Sequence, residues 1–147
     1  MKTAIVYVST HHQNTKKLLD AIKENYPEVV LIDCIQEKNV ELSDYDRIGF
    51  ASGIAYGKFY PQIIEFMERN MPEGKEVFFI YTCGSKRSGY TDAVKQIAIG
   101  KNSKLLGEFG CLGFDTFGPF KLIGGIAKGH PDTDDIESVL RFYAGLK

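Results

Sequence analysis

The stretch Ala4-Ile5-Val6-Tyr7-Val8-Ser9-Thr10-His11-His12-Gln13-Asn14-Thr15 decides how the rest of the chain is read. Its first half is an apolar, β-branched run that predicts a strand over residues 3–8. Its second half is built of hydroxyl, imidazole and amide side chains with no acid among them. Lys16 and Lys17 follow at once, and Leu18, Leu19 and Ile22 then recur at helical spacing. A strand that passes into a helix through such residues builds an anion site. The helix start presents N–H groups without intrahelical partners, its dipole places positive charge there, and the side chains add donors. An ordinary polar loop with Asn14 as helix cap has the same composition, so this stretch leaves phosphate binding and plain capping both open.

Outward from it, apolar, β-branched or aromatic runs recur at 29–33, 47–52, 77–82 and 105–114. The central ones are apolar almost without interruption, as in Val77-Phe78-Phe79-Ile80-Tyr81, the pattern of strands buried on both faces of a parallel sheet. Helical patterns lie between them. Ile63, Ile64 and Met67 mark one that starts at Pro61, and Val94, Ile97 and Ala98 mark another. Ile136, Val139, Leu140 and Tyr143 mark a last helix, with Asp132 or Thr133 as its cap after Pro131. Residues 34–46 are too polar for more than a short helix. Alternating strands and helices predict one α/β domain over 1–147, a doubly wound parallel sheet with right-handed crossovers and helices on both faces. Residues 115–130, rich in glycine (Gly118, Gly124, Gly125, Gly129), form the longest unassigned stretch, and long loops in compact domains are usually functional.

Bulk composition narrows the function by exclusion. A chain of 147 residues with 44% hydrophobic and 25% charged content is an ordinary globule, able to bury roughly 70% of its unfolded surface. A net charge of −1 gives no global field toward nucleic acid or membrane. No apolar run approaches the roughly 20 residues of a membrane span. The N-terminus lacks the regions of a signal peptide, and three widely spaced cysteines (Cys34, Cys83, Cys111) suit a reducing cytoplasm. Two adjacent histidines at a helix start lack a third ligand, so no metal site is read. A receiver-type signalling domain would need an acidic pair where Ser9 and Thr10 stand, and a cysteine phosphatase would need C-x(5)-R, whereas Arg87 follows Cys83 too closely. Dinucleotide and P-loop glycine motifs are missing as well.

In a doubly wound sheet, ligands bind outside the carboxyl ends of the strands, which directs attention to loops 9–15, 53–60, 83–90 and 114–130. Gly53-Ile54-Ala55-Tyr56-Gly57-Lys58-Phe59-Tyr60 presents aromatics between glycines, and Cys83-Gly84-Ser85-Lys86-Arg87-Ser88-Gly89-Tyr90 presents small residues and a further aromatic. Glycines let backbone amides approach a ligand, and a tyrosine face offers a stacking surface. Taken together, the loops describe a slot for a flat ring beside a phosphate pocket, which points to a mononucleotide or a flavin.

Over essentially its whole length the chain resembles a short-chain flavodoxin. The family's phosphate loop, S/T-x-T-G-x-T, lies on Thr10-His11-His12-Gln13-Asn14-Thr15, where Thr10 and Thr15 match, His12 replaces threonine and Gln13 replaces glycine. Asp44-Tyr45-Asp46-Arg47-Ile48-Gly49-Phe50-Ala51-Ser52-Gly53 is similar to the family's third strand and the start of its flavin-flanking loop, and Thr82-Cys83-Gly84 resembles the start of the second flavin loop. The stretch from Gly124 to Asp132 resembles the family's G-x-P-x-x-x-D segment, with Asp135 at its final acid. The resemblance implies a flavodoxin-like five-stranded parallel sheet of strand order 2-1-3-4-5, noncovalent FMN, and electron transfer at the flavin's exposed edge.

It also assigns candidate contacts. Thr10, His12, Asn14 and Thr15 would meet the phosphate, with His11 and Gln13 in the same loop. Tyr56 would stack on the ring, flanked by Gly53, Ile54, Ala55 and Gly57. Thr82, Cys83 and Gly84 would line the other side, joined by Tyr90, although a core role remains open for Thr82 and Cys83. No protein residue need be catalytic, because the flavin carries the chemistry. The implied function is an electron carrier serving redox partner proteins as a monomer or weak dimer. The alternative is an FMN-dependent reductase or oxidase with a quinone- or protoporphyrinogen-type substrate. Lys58, Lys86, Arg87, Lys121 and Lys128 stand against Asp115 alone in the rim loops, which suits an acidic partner or an anionic substrate and would raise the flavin's potential. If His12 donates to the phosphate as an imidazolium, FMN affinity falls as pH rises from about 5.5 to 8.5 across the normal histidine range. Titrations of FMN at a series of pH values should show that fall in the native protein and not in His12→Gln.

Overall fold

Every residue of the first strand, β1 (Thr3–Val8), is buried, because it is an interior strand of the sheet with helices over both faces. In this computed structural model, residues 1–9, 13–114 and 125–146 are described. After β1 come α1 (Asn14–Asn25), β2 (Val30–Asp33), β3 (Arg47–Ala55), β4 (Lys58–Phe59) and α2 (Pro61–Asn70). β5 (Glu76–Cys83), α3 (Asp92–Gly100), β6 (Lys104–Leu112) and α4 (Thr133–Ala144) complete the order. The sheet runs β2-β1-β3-β5-β6 with all of these neighbours parallel. Counting the parallel strands alone, this is the expected order 2-1-3-4-5 of a flavodoxin-like fold.

Alternation along the strands fills two cores. Ile5, Phe78 and Ile80 pack with Leu18, Leu19 and Ile22 of α1 and Val139 and Tyr143 of α4. Val6, Val8, Phe50 and Phe79 face the other way, onto Ile63 and Met67 of α2 and Val94 and Ala98 of α3. Among the described residues, no helix is long and apolar enough to cross a membrane.

One local reading changes. Residues 53–60, read from the sequence as a loop, form a hairpin instead: β3 runs on to Ala55 and pairs antiparallel with β4, Ile54 opposite Phe59 and Ala55 opposite Lys58. Tyr56 and Gly57, at the turn, both have positive φ, 54° and 79°, as a two-residue turn that follows strand twist requires. The crossover from β2 to β3 carries no helix at all, only turns over residues 34–46. A groove of about 440 Å³ lies beside these turns, between Cys34, Ile35 and Lys38 on one side and Gln62, Phe66 and Arg69 of α2 on the other.

Where strands and helices pack this closely, a single methyl is felt. A Cβ on Gly49 in β3 would stand 2.4 Å from the Phe78 ring. Gly49→Ala should therefore destabilise the protein by about 1–3 kcal/mol, the range for overpacked cores. Gly100→Ala, with nothing within 4 Å of the added carbon, should be neutral or stabilising. Thermal unfolding of the two variants checks both.

Candidate functional site

The site is built around the start of α1. Gln13, its N-cap residue, adopts the left-handed conformation (φ 54°, ψ 30°), and its side chain makes no capping bond. The cap comes from farther back: the Ser9 hydroxyl accepts the N–H of Lys16 at 3.1 Å. Asn14 and Thr15 are 5% and 1% exposed, and they brace the first turn in two directions. Thr15 Oγ1 lies 3.0 Å from Thr82 Oγ1, while Asn14 Nδ2 donates to the Phe114 carbonyl at 2.8 Å. Asn14 is thus a strut to the end of β6, which corrects its reading as a helix cap. A Cβ on Gly113 would come within 2.7 Å of Asn14 Nδ2, so only glycine leaves room for the strut. Asn14 Oδ1 is buried and has no hydrogen-bond partner among the described residues.

The hairpin after β3 is fixed by Ser52, fully buried, whose hydroxyl donates to the Gly53 carbonyl at 2.6 Å and accepts from Tyr60 N–H at 3.0 Å. Gly53 registers with Thr82 on β5. Ile54 is packed against the core while Tyr56, at the tip beside Gly57, is 88% exposed. Beyond β5, the buried Cys83 thiol donates to the Cys111 carbonyl at 3.5 Å, and Gly84 is half-buried. Tyr90 turns inward, its ring edge-on to Tyr81 with centroids 5.6 Å apart and its hydroxyl donating to the Ser85 carbonyl at 2.5 Å. Burial pushes the Cys34 thiol up to about 11 and that of Cys111 up to about 12, so neither is a thiolate nucleophile near neutral pH.

The fold therefore brings Thr15 against Thr82 and Asn14 against Phe114, with Gln13 just before them, Gly53 beside Thr82, and Cys83 and Gly84 next along the chain. Ala55, Tyr56 and Gly57 stand off on the hairpin. Thr10, His11 and His12, the phosphate-loop candidates, lie outside the described residues, as do residues 115–124 with Asp115 and Lys121. Sequence reasoning missed Ser9, Ser52 and Gly113. A hydroxyl inside the apolar run of β3 was the available signal for Ser52.

His130 was also missed. Its carbonyl accepts the N–H of Phe114 at 2.9 Å, which places it beside the Asn14 strut. Its Nδ1 lies 2.7 Å from Asp135 Oδ2. That oxygen also accepts from Asp132 N–H at 2.8 Å, while Asp135 N–H donates to Asp132 Oδ1 at 2.9 Å, a reciprocal cap on α4. The cap residue Asp132 is as the sequence indicates. The hydrogen bond to Asp135 raises the His130 pKa above its usual value. Burial opposes ionisation of Asp135, but the hydrogen bonds from His130 and Asp132 hold its carboxyl below the usual range.

Comparison with known proteins agrees with this architecture. The flavodoxin domain model matches residues 4–110, and the chain belongs to that family. It is 36% identical over 149 aligned positions to an uncharacterized protein of Methanocaldococcus jannaschii, covering 99% of this chain and 98% of that one. Among solved structures it is similar to a flavodoxin from the domain Archaea, with a TM-score of 0.70, 17% identity, and 95% and 92% of the two chains covered. A Fusobacterium nucleatum flavodoxin bound to flavin mononucleotide gives 0.65 at 12% identity, with both chains fully covered (100% each). An NADPH-quinone reductase from P. pentosaceus gives 0.65 at 16% identity, over 97% and 95% of the chains.

The His130–Asp135 pair has a defined pH window. A raised histidine pKa adds stability that is full below the unfolded value of 6.5 and lost as pH rises through the folded value. The lowered Asp135 pKa adds stability above 3.8 that is lost as pH falls through its own folded value. NMR titration should give a His130 midpoint above 6.5. Asp135→Asn should lower that midpoint and cost about 1 kcal/mol through the broken cap.

Proposed function

We propose that this protein is a flavodoxin-type electron carrier that binds FMN noncovalently at the carboxyl edge of its sheet. The observation that carries the reading is the braced start of α1, held by Asn14 and Thr15 between the ends of β5 and β6. The N–H groups of Asn14 and Thr15 precede those taken by Ser9 and Gln13 in the same turn and are the ones an anion would meet. Together with Thr10, His12 and the rest of loop 10–15 they form the proposed phosphate site. The orphaned Asn14 Oδ1 asks for a donor, which a ribityl hydroxyl would supply and a phosphate would not. An inorganic anion satisfies the helix start alone, whereas FMN satisfies both.

The ring would lie between the Tyr56 hairpin, with Gly53, Ile54, Ala55 and Gly57, and the segment Thr82-Cys83-Gly84. Tyr90 drops to a supporting place, because its ring packs on Tyr81. Bound FMN supplies one- and two-electron chemistry. The chain's residues bind the phosphate, stack on the ring and set how much of its edge meets solvent. Exposure of Tyr56 favours an open edge and hence transfer to redox partner proteins. The cationic rim keeps a second reading, an FMN-dependent reductase or oxidase acting on a quinone- or protoporphyrinogen-type anion.

The purified protein, reconstituted if colourless, should show a flavin spectrum, and mass spectrometry of the released chromophore should identify FMN, bound once per chain. A protein that ignores both FMN and FAD would sink the proposal. Sustained turnover of a quinone or protoporphyrinogen with no partner protein would select the enzyme. Tyr56→Ala should weaken FMN by about 1–2 kcal/mol, the scale of one aromatic stacking contact, read as roughly tenfold in a fluorescence titration.

A further inference from the structure

We propose that the hairpin tip and the loop after β5 form a cationic docking face for an acidic electron-transfer protein, an inference that rests on the FMN reading above. Lys58 follows Tyr56 and Gly57 on the hairpin, and Lys86 and Arg87 lie in the loop between β5 and α3. Because β3 and β5 are neighbouring strands, these two loops flank the slot from adjacent positions. Neither loop contains a carboxylate: residues 53–60 and 83–91 hold Lys58, Lys86 and Arg87 and no Asp or Glu. All three cations are exposed, and none forms an ion pair among the described residues.

Among the described residues elsewhere, four cations have a carboxylate partner. Lys16 pairs with Asp20, Arg47 with Glu76, Arg69 with Glu65 and Lys95 with Glu108. In a chain of net charge −1, three cations with no ion pair among the described residues and no carboxylate in their own loops are a local asymmetry of the kind that steers encounters. The closest acid along the chain is Asp92, in the first turn of α3, whose carboxylate is turned toward Gly89, 3.3 Å from where a Cβ would stand.

The partner's chemistry follows from this layout. The cations are exposed on two loops beside the exposed Tyr56. A patch of carboxylates on a protein surface can meet all three. Electron carriers need only small, short-lived interfaces, in which charge sets orientation and rate more than affinity.

The test maps the face on the isotopically labelled, FMN-reconstituted protein. Hexacyanochromate(III), a redox-inert paramagnetic trianion, should broaden the amides of residues 56–58 and 85–88, whereas hexaamminechromium(III) should not. A small acidic ferredoxin should shift the same amides, and a basic cytochrome c should leave them unmoved. Both effects should vanish in the Lys58→Glu, Lys86→Glu, Arg87→Glu triple variant and fade in the milder glutamine versions. In stopped flow, the reduced protein should pass one electron to ferricyanide on the order of tenfold faster at low than at high salt, with the trend reversed for hexaamminecobalt(III). Broadening by the cationic probe at these loops would overturn the proposal. So would an acidic ferredoxin that moves no amide there, which would leave a small-anion site. A chain with the same anion map but no uptake of FMN would overturn the flavin assignment alone, so the two readings fail separately.

Discussion

Two buried side chains at the start of α1, Asn14 and Thr15, carry the constraint on which the site depends. One binds the carbonyl at the end of β6 and the other the hydroxyl of Thr82 near the end of β5. Strands that pair in register share a common carboxyl edge, but a helix start can slide and tilt over it. These bonds remove that freedom, because breaking either would leave a buried polar atom unpaired at about 1–3 kcal/mol. With the helix start held there, its N–H groups are offered between the loops, where the anion of the proposed ligand would complete the turn.

The same region stores backbone strain. Among the described residues, the non-glycine positions of positive φ are Gln13, Tyr56, Asn102 and Ala127, and the first two lie in the loops that would hold the ligand. Each costs of order 1 kcal/mol against an ordinary conformation. Gln13 ends the connection from β1 so that Asn14 and Thr15 enter the sheet's edge side by side. Tyr56 turns the hairpin so that its ring projects outward while Phe59 returns to the core. Strain at both places, supported by the buried hydroxyls of Ser52 and Thr15, is consistent with a preorganised site.

The layered fold was legible because burial leaves a direct imprint on residue type. The runs at 47–52 and 77–82 are apolar on both faces, and the helix of Ile136, Val139, Leu140 and Tyr143 shows its spacing plainly. The hairpin at 53–60 was not legible, since Tyr56-Gly57 lacks the Asn-Gly or Asp-Gly that usually announces such a turn. For Asn14, residue type also offered a plain helix cap, the alternative that the structure rules out. Asparagine suits a cap, and its real partner lies 100 residues away in the chain, beyond any local pattern. His130 escaped for the same reason: its ties to Phe114 and Asp135 exist only once α4 folds back beside β6. The candidate ligand loops were chosen because a doubly wound sheet places its sites at strand ends, a consequence of topology that needs no side-chain detail.

Calorimetric titration of the same protein with FMN and with riboflavin isolates the phosphate and so tests the braced helix start most directly. Both ligands present the same ring to Tyr56 and the same ribityl hydroxyls to Asn14. If the start of α1 is the phosphate site, FMN binds tighter by about 100-fold or more, the effect of two or three charge-assisted hydrogen bonds. Equal affinities would mean that the phosphate meets nothing there, and that Asn14 and Thr15 hold the fold without holding a ligand.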